Sequence, residues 1–244
     1  MYGSNQEEQN RVRLGKDGLL KPDTFHEDRL LGQPPGVNVL LVMYNRFHNY
    51  VATMLKEINE DDRFTPRSND EASAKVVDND IFQTARLVVG GLYISISLGD
   101  YLRAIQGVHE KDTTWTFDPR MYIEKTAQGE AVPRGMGNQV SAEFNLLYRF
   151  HPAISDEDAQ WTEDFFLREA RTRLGRPNLK LEDLTARELW PVFGQFAAEK
   201  RAIDPSKRDI EGCKRGADDT FPDDRLAEIL KQSIDSTAGR SHSI

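Results

Sequence analysis

The chain has 244 residues, a length that allows one large domain or two small ones. Its formal net charge is −8, which makes the phosphate backbone of a nucleic acid an unfavourable partner, so we expect no nucleic acid to bind. Hydrophobic residues make up 38% of the chain and charged residues 30%, a polar balance that indicates a missing apolar partner segment or cofactor.

The amino-terminal stretch, MYGSNQEEQNRVR, has no apolar segment that could act as a secretory leader. No apolar run in the chain approaches the length expected of a transmembrane helix. The single cysteine, Cys213, excludes an intrachain disulfide and favours a reducing compartment. We therefore expect a cytoplasmic protein without a transmembrane segment, with attachment to a lipid surface as the alternative.

The first predicted helix begins directly after the stretch GQPPG, which closes a polar and irregular region over residues 1–35. Apolar residues then recur every three or four positions, which predicts one apolar face on a helix of roughly six turns. These positions are Leu40, Tyr44, Phe47, Val51, Met54 and Ile58. His48 lies beside polar residues on the same helix, and we interpret it as a packing or hydrogen-bond network residue.

A second helix is predicted from a cap at Asp78 or Asp80 to Gly107, after the charged loop DDRFTPRSNDEASAK. Its middle is almost wholly apolar, which predicts burial on all sides. Gly90 and Gly91 weaken a helix, so we expect a neighbouring helix or a ligand to approach closely there.

The remaining pattern predicts further helices and no βαβ unit, so the fold class is mainly α with short irregular or extended connections. A helix at Ser155 is closed by Gly175, and a capping box at Thr185 and Glu188 opens another, which Pro191 must kink or delay. The other predicted segments are an irregular region over 108–137, helices at about Gln139–His151 and at PDDRLAEILKQSIDS, and a disordered tail at TAGRSHSI.

One predicted helix face ends in a phenol and an imidazole. Its members, spaced three or four residues apart, are Val140, Phe144, Leu147, Tyr148 and His151. Pro152 should end the helix, which places His151 at the negative end of the helix dipole, where an electron-donating imidazole suits haem iron. The spacing alone leaves three interpretations: a hydrogen-bonded core pair, which is the commonest outcome, a surface recognition stripe, or a ligand and redox-active phenol at a cofactor.

Four stretches in order resemble the haem peroxidase–cyclooxygenase superfamily, and most closely the fungal linoleate diol synthase and psi-factor-producing oxygenase family. They are MYGSNQEEQNRVRLGKDGLLK, GVNVLLVMYNRFHN, IFQTARLVVGGLYISISLGDYL and EFNLLYRFHP. The stretches GNQVSAEFNLLYRFH and WTEDFF carry the finer resemblance. The resemblance covers residues 1 to about 236.

The resemblance implies a haem b cofactor and a set of site residues. His151 looks like the proximal ligand of the haem iron, and Tyr148 looks like the tyrosine that becomes a radical. That radical removes a hydrogen from an unsaturated fatty acid, and O2 then adds to give a hydroperoxide. The same resemblance places Phe144, Leu147 and Phe150 along a substrate channel, and Arg29 on the distal side, although ordinary packing or surface roles are the simpler interpretation of these four.

The resemblance also implies that the chain is the middle of a longer enzyme. We expect residues 1–236 to form the central and proximal-side part of the dioxygenase domain, and 237–244 to form a disordered tail. In the family, the distal histidine lies upstream of this region and the asparagine that supports the proximal histidine lies downstream. Homo-oligomers are compatible with the full-length parent.

Two alternatives to a working dioxygenase stay open. The chain could be a non-catalytic remnant that lacks the distal half of the haem pocket. It could instead be a helical interaction module that pairs with another subunit through exposed apolar faces.

Overall fold

The computed structural model describes residues 1–107, 140–147 and 154–237. These residues contain α-helices and no strand, which confirms the mainly-α prediction, and two isolated bridges join Arg13 to Leu20 and Ile210 to Cys213. The helices are α1 (Gln6–Val12), α2 (Pro35–Ile58), α3 (Glu71–Ile96), α4 (Leu102–Ile105), α5 (Ala142–Leu147), α6 (Asp156–Leu174), α7 (Ala186–Ala202) and α8 (Asp223–Asp235).

The chain forms two compact units. A larger unit comprises Met1–Val89 and Ile154–Gly239, and a smaller unit comprises Gly90–Ala153 and Arg240–Ile244. The larger unit is therefore built from two stretches that are far apart in the sequence. The predicted division into residues 1–236 and a tail at 237–244 stays a prediction.

Helix α2 is the central element of the larger unit. Pro35 occupies its first turn, where the missing N–H leaves no hydrogen bond unmade, and Asn59 ends it in the left-handed conformation with φ of 40°. Its buried face carries apolar residues together with Asn38, Asn45 and His48. The predicted helix after GQPPG is confirmed, and its inward face proves to hold polar side chains as well.

Aromatic rings fill the core between α6 and α7. Phe165 stacks on Trp161 with ring centroids 5.1 Å apart and meets Phe196 edge-on at 5.2 Å. Both phenylalanines are buried. Such offset and edge-on pairs add to the stabilisation from apolar burial.

The capping signals of α6 and α7 are confirmed. The Ser155 side chain accepts a hydrogen bond from the Asp158 N–H, and Gly175 ends α6 with φ of 64°. Thr185 and Glu188 make both hydrogen bonds of the capping box. Helix α7 nevertheless starts at Ala186 and continues through Pro191, so this proline does not delay it.

Two expectations for the first half of the chain are wrong. The amino-terminal region is not wholly irregular, because α1 forms there, capped by the Asn5 side chain. Helix α3 begins at Glu71, not at Asp78 or Asp80, since Asp70 accepts a hydrogen bond from the Ser73 N–H and starts the helix earlier. Asp78 instead binds residues of the amino-terminal segment.

The second half of α3 and α4 expose apolar side chains, so the expectation of burial on all sides is also wrong. Leu87 is 74% exposed and Ile94 is 50% exposed, and no other group of the described chain lies within 4 Å of a Cβ built at Gly90 or Gly91. The helical segment Glu71–Ile105 is long and apolar enough to cross a membrane, judged by length and composition alone. Its most apolar window of 18 residues has a mean hydropathy of 1.4, and 22% of that window is buried. A single helix of this kind is weak evidence for a membrane span.

Candidate functional site

The sequence-predicted site lies mostly outside the described residues. Tyr148, Phe150 and His151 fall there, and α5, which comprises Ala142–Leu147, is the described segment that precedes them in the sequence. The Phe144 side chain on α5 is 53% exposed. Its ring is thus not buried in a core within the described part of the chain, and a channel role for it stays a prediction.

Arg29, the predicted distal-side arginine, lies at the surface of the larger unit. Its guanidinium makes two hydrogen bonds to the Glu27 carboxylate, at 2.7 and 2.8 Å. Pairing with Arg29 holds the pKa of Glu27 at about 2. Arg29 and Glu27 therefore form an exposed ion pair. A role for Arg29 on the distal side of a haem stays a prediction.

The described part of the chain does bring a tyrosine and a histidine together, but they are Tyr2 and His48. The hydroxyl of Tyr2 lies 2.9 Å from Nδ1 of His48, and Nε2 of His48 lies 3.0 Å from the Gly18 carbonyl oxygen. A carbonyl oxygen only accepts, so Nε2 carries the proton and donates. Nδ1 then holds a lone pair and accepts from the phenol.

Apolar and charged side chains enclose this pair. Phe82 meets both rings, with centroids 5.7 Å from Tyr2 and 5.4 Å from His48. The Arg13 guanidinium lies over the Phe82 ring, 4.1 Å from its centroid. Asp78 forms an ion pair with this guanidinium at 2.7 Å. The imidazole is fully buried and the phenol is partly buried.

Burial determines the protonation of both groups. It raises the pKa of the Tyr2 phenol well above the ordinary value, an effect that the Arg86 charge opposes only in part. It also lowers the pKa of the His48 imidazole, because a buried cation loses its hydration. At neutral pH the pair is therefore a neutral phenol and a neutral imidazole.

The amino-terminal segment is held at the backbone as well as through these rings. Gly18 has φ of +70°, and its N–H donates to the Asp78 carboxylate at 2.7 Å. A Cβ at this position would lie 2.5 Å from Cγ2 of Ile81. Glycine is therefore required both for the backbone conformation and for the close approach to α3.

A second polar cluster joins distant parts of the larger unit. The carboxylate of Asp23, which is 2% exposed, accepts two hydrogen bonds from Arg46 and one from the Phe221 N–H, at 2.7 to 2.8 Å. The Arg215 guanidinium lies 4.3 Å from the Phe221 ring and donates to the Asp23 carbonyl oxygen. These groups satisfy one another, which is typical of a structural network.

A cleft of about 980 Å³ opens at the amino-terminal end of α6. Trp161, Glu157 and Asp158 line it, together with residues from the ends of α2 and α8. It contains none of the sequence-predicted site residues. Within residues 1–107, 140–147 and 154–237, no group of three or more His, Cys, Asp or Glu side chains is placed to hold a metal ion.

The histidines of the described region bear on haem binding. An axial ligand needs a ring nitrogen with a free lone pair. His48 uses both nitrogens in hydrogen bonds inside the core, so it is not available to an iron atom. His26 is the other histidine of the described residues, and the assignment of an axial imidazole to His151 stays a prediction.

Sequence reasoning anticipated that His48 is a network residue but missed its partner. Tyr2 lies 46 residues away, in a region predicted to be irregular. No periodicity or short motif connects two positions at that separation. The stretch that contains Tyr2, MYGSNQEEQNRVRLGKDGLLK, stands out only through the family resemblance.

Comparison with protein families identifies one match. Residues 28–193 match the family described as animal haem peroxidase. The match covers more than half of the chain and includes the stretch from Val140 to His151.

Fungal oxygenases are similar along almost the whole chain. Linoleate diol synthase of Gaeumannomyces graminis is 46% identical over 98% of the chain, as is psi-producing oxygenase A of Emericella nidulans. A protein of Pyricularia oryzae named bifunctional dioxygenase–epoxy alcohol synthase is 43% identical. The chain spans 20 to 22% of the length of these relatives. No solved structure matches the chain significantly.

Proposed function

The chain belongs to the animal haem peroxidase family, and we propose that it is part of a haem-dependent dioxygenase acting on unsaturated fatty acids. One observation carries the proposal. The sequence EFNLLYRFHP, with Tyr148 and His151 three residues apart, lies inside the region that matches the family. The names of the 46% identical relatives support linoleate or a similar fatty acid as the substrate class.

In this proposal His151 would hold the iron of haem b, and the haem, once oxidised by a hydroperoxide, would take one electron from the Tyr148 phenol, whose proton passes to a base or to water. The Tyr148 radical removes a hydrogen atom from the fatty acid, which leaves a carbon radical. O2 adds to that carbon, and the peroxyl radical regains a hydrogen atom from Tyr148, which yields the hydroperoxide and restores the tyrosyl radical. Phe144, Leu147 and Phe150 supply apolar surface for the fatty-acid chain.

Two structural observations are compatible with these roles. Helix α5 includes Leu147, the residue directly before Tyr148, so a helical continuation would present Tyr148 and His151 on one face. The buried His48 is already bonded through both nitrogens and does not compete for iron.

Haem binding tests the proposal directly. The full chain is reconstituted with hemin, and the Soret band is recorded for wild type and for His151→Ala. Two matched controls, His109→Ala and His242→Ala, remove other imidazoles. We expect a shifted and weakened band in His151→Ala alone. An unchanged band in that variant rejects His151 as the ligand, and loss of the band in a control reassigns it.

The exposed apolar side chains of α3 favour a second candidate, a helical interaction module that binds no haem. Leu87 and Val88 are exposed within the larger unit, and Ile94 within the smaller unit. Exposed apolar surface of this kind is typical of interaction sites. Sedimentation analysis of the chain without hemin tests this candidate: self-association supports it, and a monomer at all concentrations rejects homo-association.

A further inference from the structure

We propose that Tyr2 and His48 form a redox-active pair, in which one-electron oxidation of the Tyr2 phenol transfers its proton to Nδ1 of His48. This site is distinct from the Tyr148 and His151 positions. It would let the larger unit hold an oxidising equivalent on a phenol of its own, independently of whether the chain binds haem.

The hydrogen bond between Tyr2 and His48 has the direction that such a step requires. A phenol becomes a strong acid when it loses an electron, so its oxidation is far easier when a base is already hydrogen-bonded to the hydroxyl. Nδ1 of His48 is that base, 2.9 Å from the hydroxyl oxygen. Because Nε2 donates to the Gly18 carbonyl oxygen, the tautomer is fixed with the lone pair facing Tyr2.

The step balances in electrons and protons within the existing hydrogen bond. Tyr2 gives one electron to an external high-potential metal complex, such as ruthenium(III) tris-bipyridine, which is reduced by one electron to ruthenium(II). The phenolic O–H bond breaks, and the proton forms a new N–H bond at Nδ1. The products are a neutral phenoxyl radical and an imidazolium that keeps its hydrogen bond to Gly18. Return of one electron from a reductant moves the proton back to the phenol oxygen.

The side chains around Tyr2 and His48 cover the two rings and leave little net charge beside them. Phe82 covers both rings, and the Arg13 charge nearby is paired with Asp78 at 2.7 Å. The lowered pKa of His48 keeps the imidazole unprotonated at neutral pH, ready to accept. Tyr50, on the same helix as His48, is 61% exposed and stacks on Phe47, which makes it a suitable comparison phenol.

Photochemical oxidation of the haem-free full chain tests the pair separately from the proposed dioxygenase function. Ruthenium(III) tris-bipyridine, generated by a light flash with a sacrificial electron acceptor, oxidises tyrosines in the chain labelled with ¹⁵N-histidine. Electron paramagnetic resonance then detects the radical. We expect a tyrosyl signal whose hydrogen-bonded proton and ¹⁵N couplings identify an imidazole partner.

Three variants show which tyrosine gives the signal and whether His48 acts as its base. Tyr2→Phe should lose the imidazole-coupled component, and Tyr50→Phe should retain it. His48→Gln keeps a hydrogen-bond acceptor but no base, so it should slow formation of the Tyr2 radical by at least tenfold. If the wild-type radical shows no coupling to a labelled imidazole, or if Tyr2→Phe keeps the coupled signal, the proposal is wrong. Absence of the imidazole coupling in the wild-type chain overturns the proposal even if a variant fails to fold.

Discussion

The phenol of Tyr2 donates a hydrogen bond to Nδ1 of His48 across 2.9 Å, although 46 residues separate the two in the chain. The bond attaches the amino-terminal segment to α2, and His48 extends the attachment to Gly18 through its other nitrogen. One imidazole therefore connects three parts of the larger unit.

Substitution of Tyr2 by phenylalanine removes only the hydroxyl and leaves Nδ1 of His48 buried without a partner. We expect the free energy of unfolding to fall by about 1–3 kcal/mol, the usual result of leaving a buried polar atom unpaired. Urea denaturation followed by circular dichroism measures it. The exposed Tyr50→Phe change should stay within about 0.5 kcal/mol of wild type, and equal losses in both variants would contradict the role of the hydrogen bond.

The stability of the chain should depend on pH through His48. Burial lowers the pKa of this imidazole below its ordinary value of 6.5, so the unfolded chain binds the proton first as the pH falls. The stabilisation is complete above about pH 6.5 and is lost as the pH falls from there through the folded pKa. The paired carboxylates of Glu27 and Asp204 have pKa values of about 2 and act at lower pH.

A series of denaturation curves between pH 7.5 and about pH 5.5 measures this dependence. Its slope should be smaller in His48→Gln, which has no titrating ring. Burial also lowers the pKa of His26 and the pKa of the Met1 amino group, and both groups contribute to the slope that remains. Identical slopes in wild type and His48→Gln would show that His48 does not titrate differently on unfolding.

Gly15 and Gly18 provide a matched pair for testing the contact with α3. Both have positive φ, so alanine at either position costs about 1–2 kcal/mol in backbone strain. Only at Gly18 would the added Cβ also collide with α3, 2.6 Å from the Phe82 nitrogen, whereas Gly15 has open space. Gly18→Ala should therefore lower the unfolding free energy by at least about 1 kcal/mol more than Gly15→Ala. Equal effects would exclude the close approach.

Removal of the Asp23 carboxylate should destabilise the larger unit strongly. Asp23→Ala removes the acceptor of the Phe221 N–H and the buried carboxylate that pairs with Arg46. Arg46 then keeps the exposed Asp223 and the Phe221 carbonyl oxygen as acceptors. We expect a loss of about 2–3 kcal/mol in chemical denaturation, below the usual value for a fully buried pair because Arg46 is 38% exposed and water screens it. The exposed Glu182, paired with Lys180, is the control, and Glu182→Ala should leave the unfolding midpoint unchanged.

Substitution of Tyr148 by phenylalanine tests the proposed chemistry in the hemin-reconstituted chain. Phenylalanine has no O–H bond to lose, so oxygenation of linoleate should be abolished while peroxidase activity, which needs only the haem, persists. Oxygen uptake and a peroxidase dye assay measure the two activities. Tyr50→Phe should retain both. Unchanged oxygen uptake in Tyr148→Phe would remove the radical role from this residue.

Local signals in the sequence predicted much of the fold. The periodicity of α2, the caps at Ser155 and Thr185 and the terminating Gly175 all depend on residues within a few positions of one another, and the structure confirms them. The start of α3 was misplaced because Asp78 resembles a cap in sequence, whereas it binds Arg13 and Gly18 across 60 or more residues.

The candidate sites show the same contrast between contacts that are local in sequence and contacts between distant residues. The spacing of Tyr148 and His151 is visible in the sequence because the two are close along the chain. The pairing of Tyr2 with His48, and of Asp23 with Phe221, depends on the packing of segments that are distant in sequence. Burial, which sets the protonation of His48, likewise depends on the assembled unit.

The discontinuity of the larger unit has a consequence for its synthesis. Arg215 donates to the carbonyl oxygen of Asp23, a residue made 192 positions earlier. At ribosomal rates of about 5–20 residues per second, roughly 10 to 40 s pass between the two. During that interval the apolar face of α2 lacks the residues of α8 that cover it. Until synthesis reaches the carboxyl-terminal segment, this face is exposed apolar surface, which makes the incomplete chain prone to aggregation.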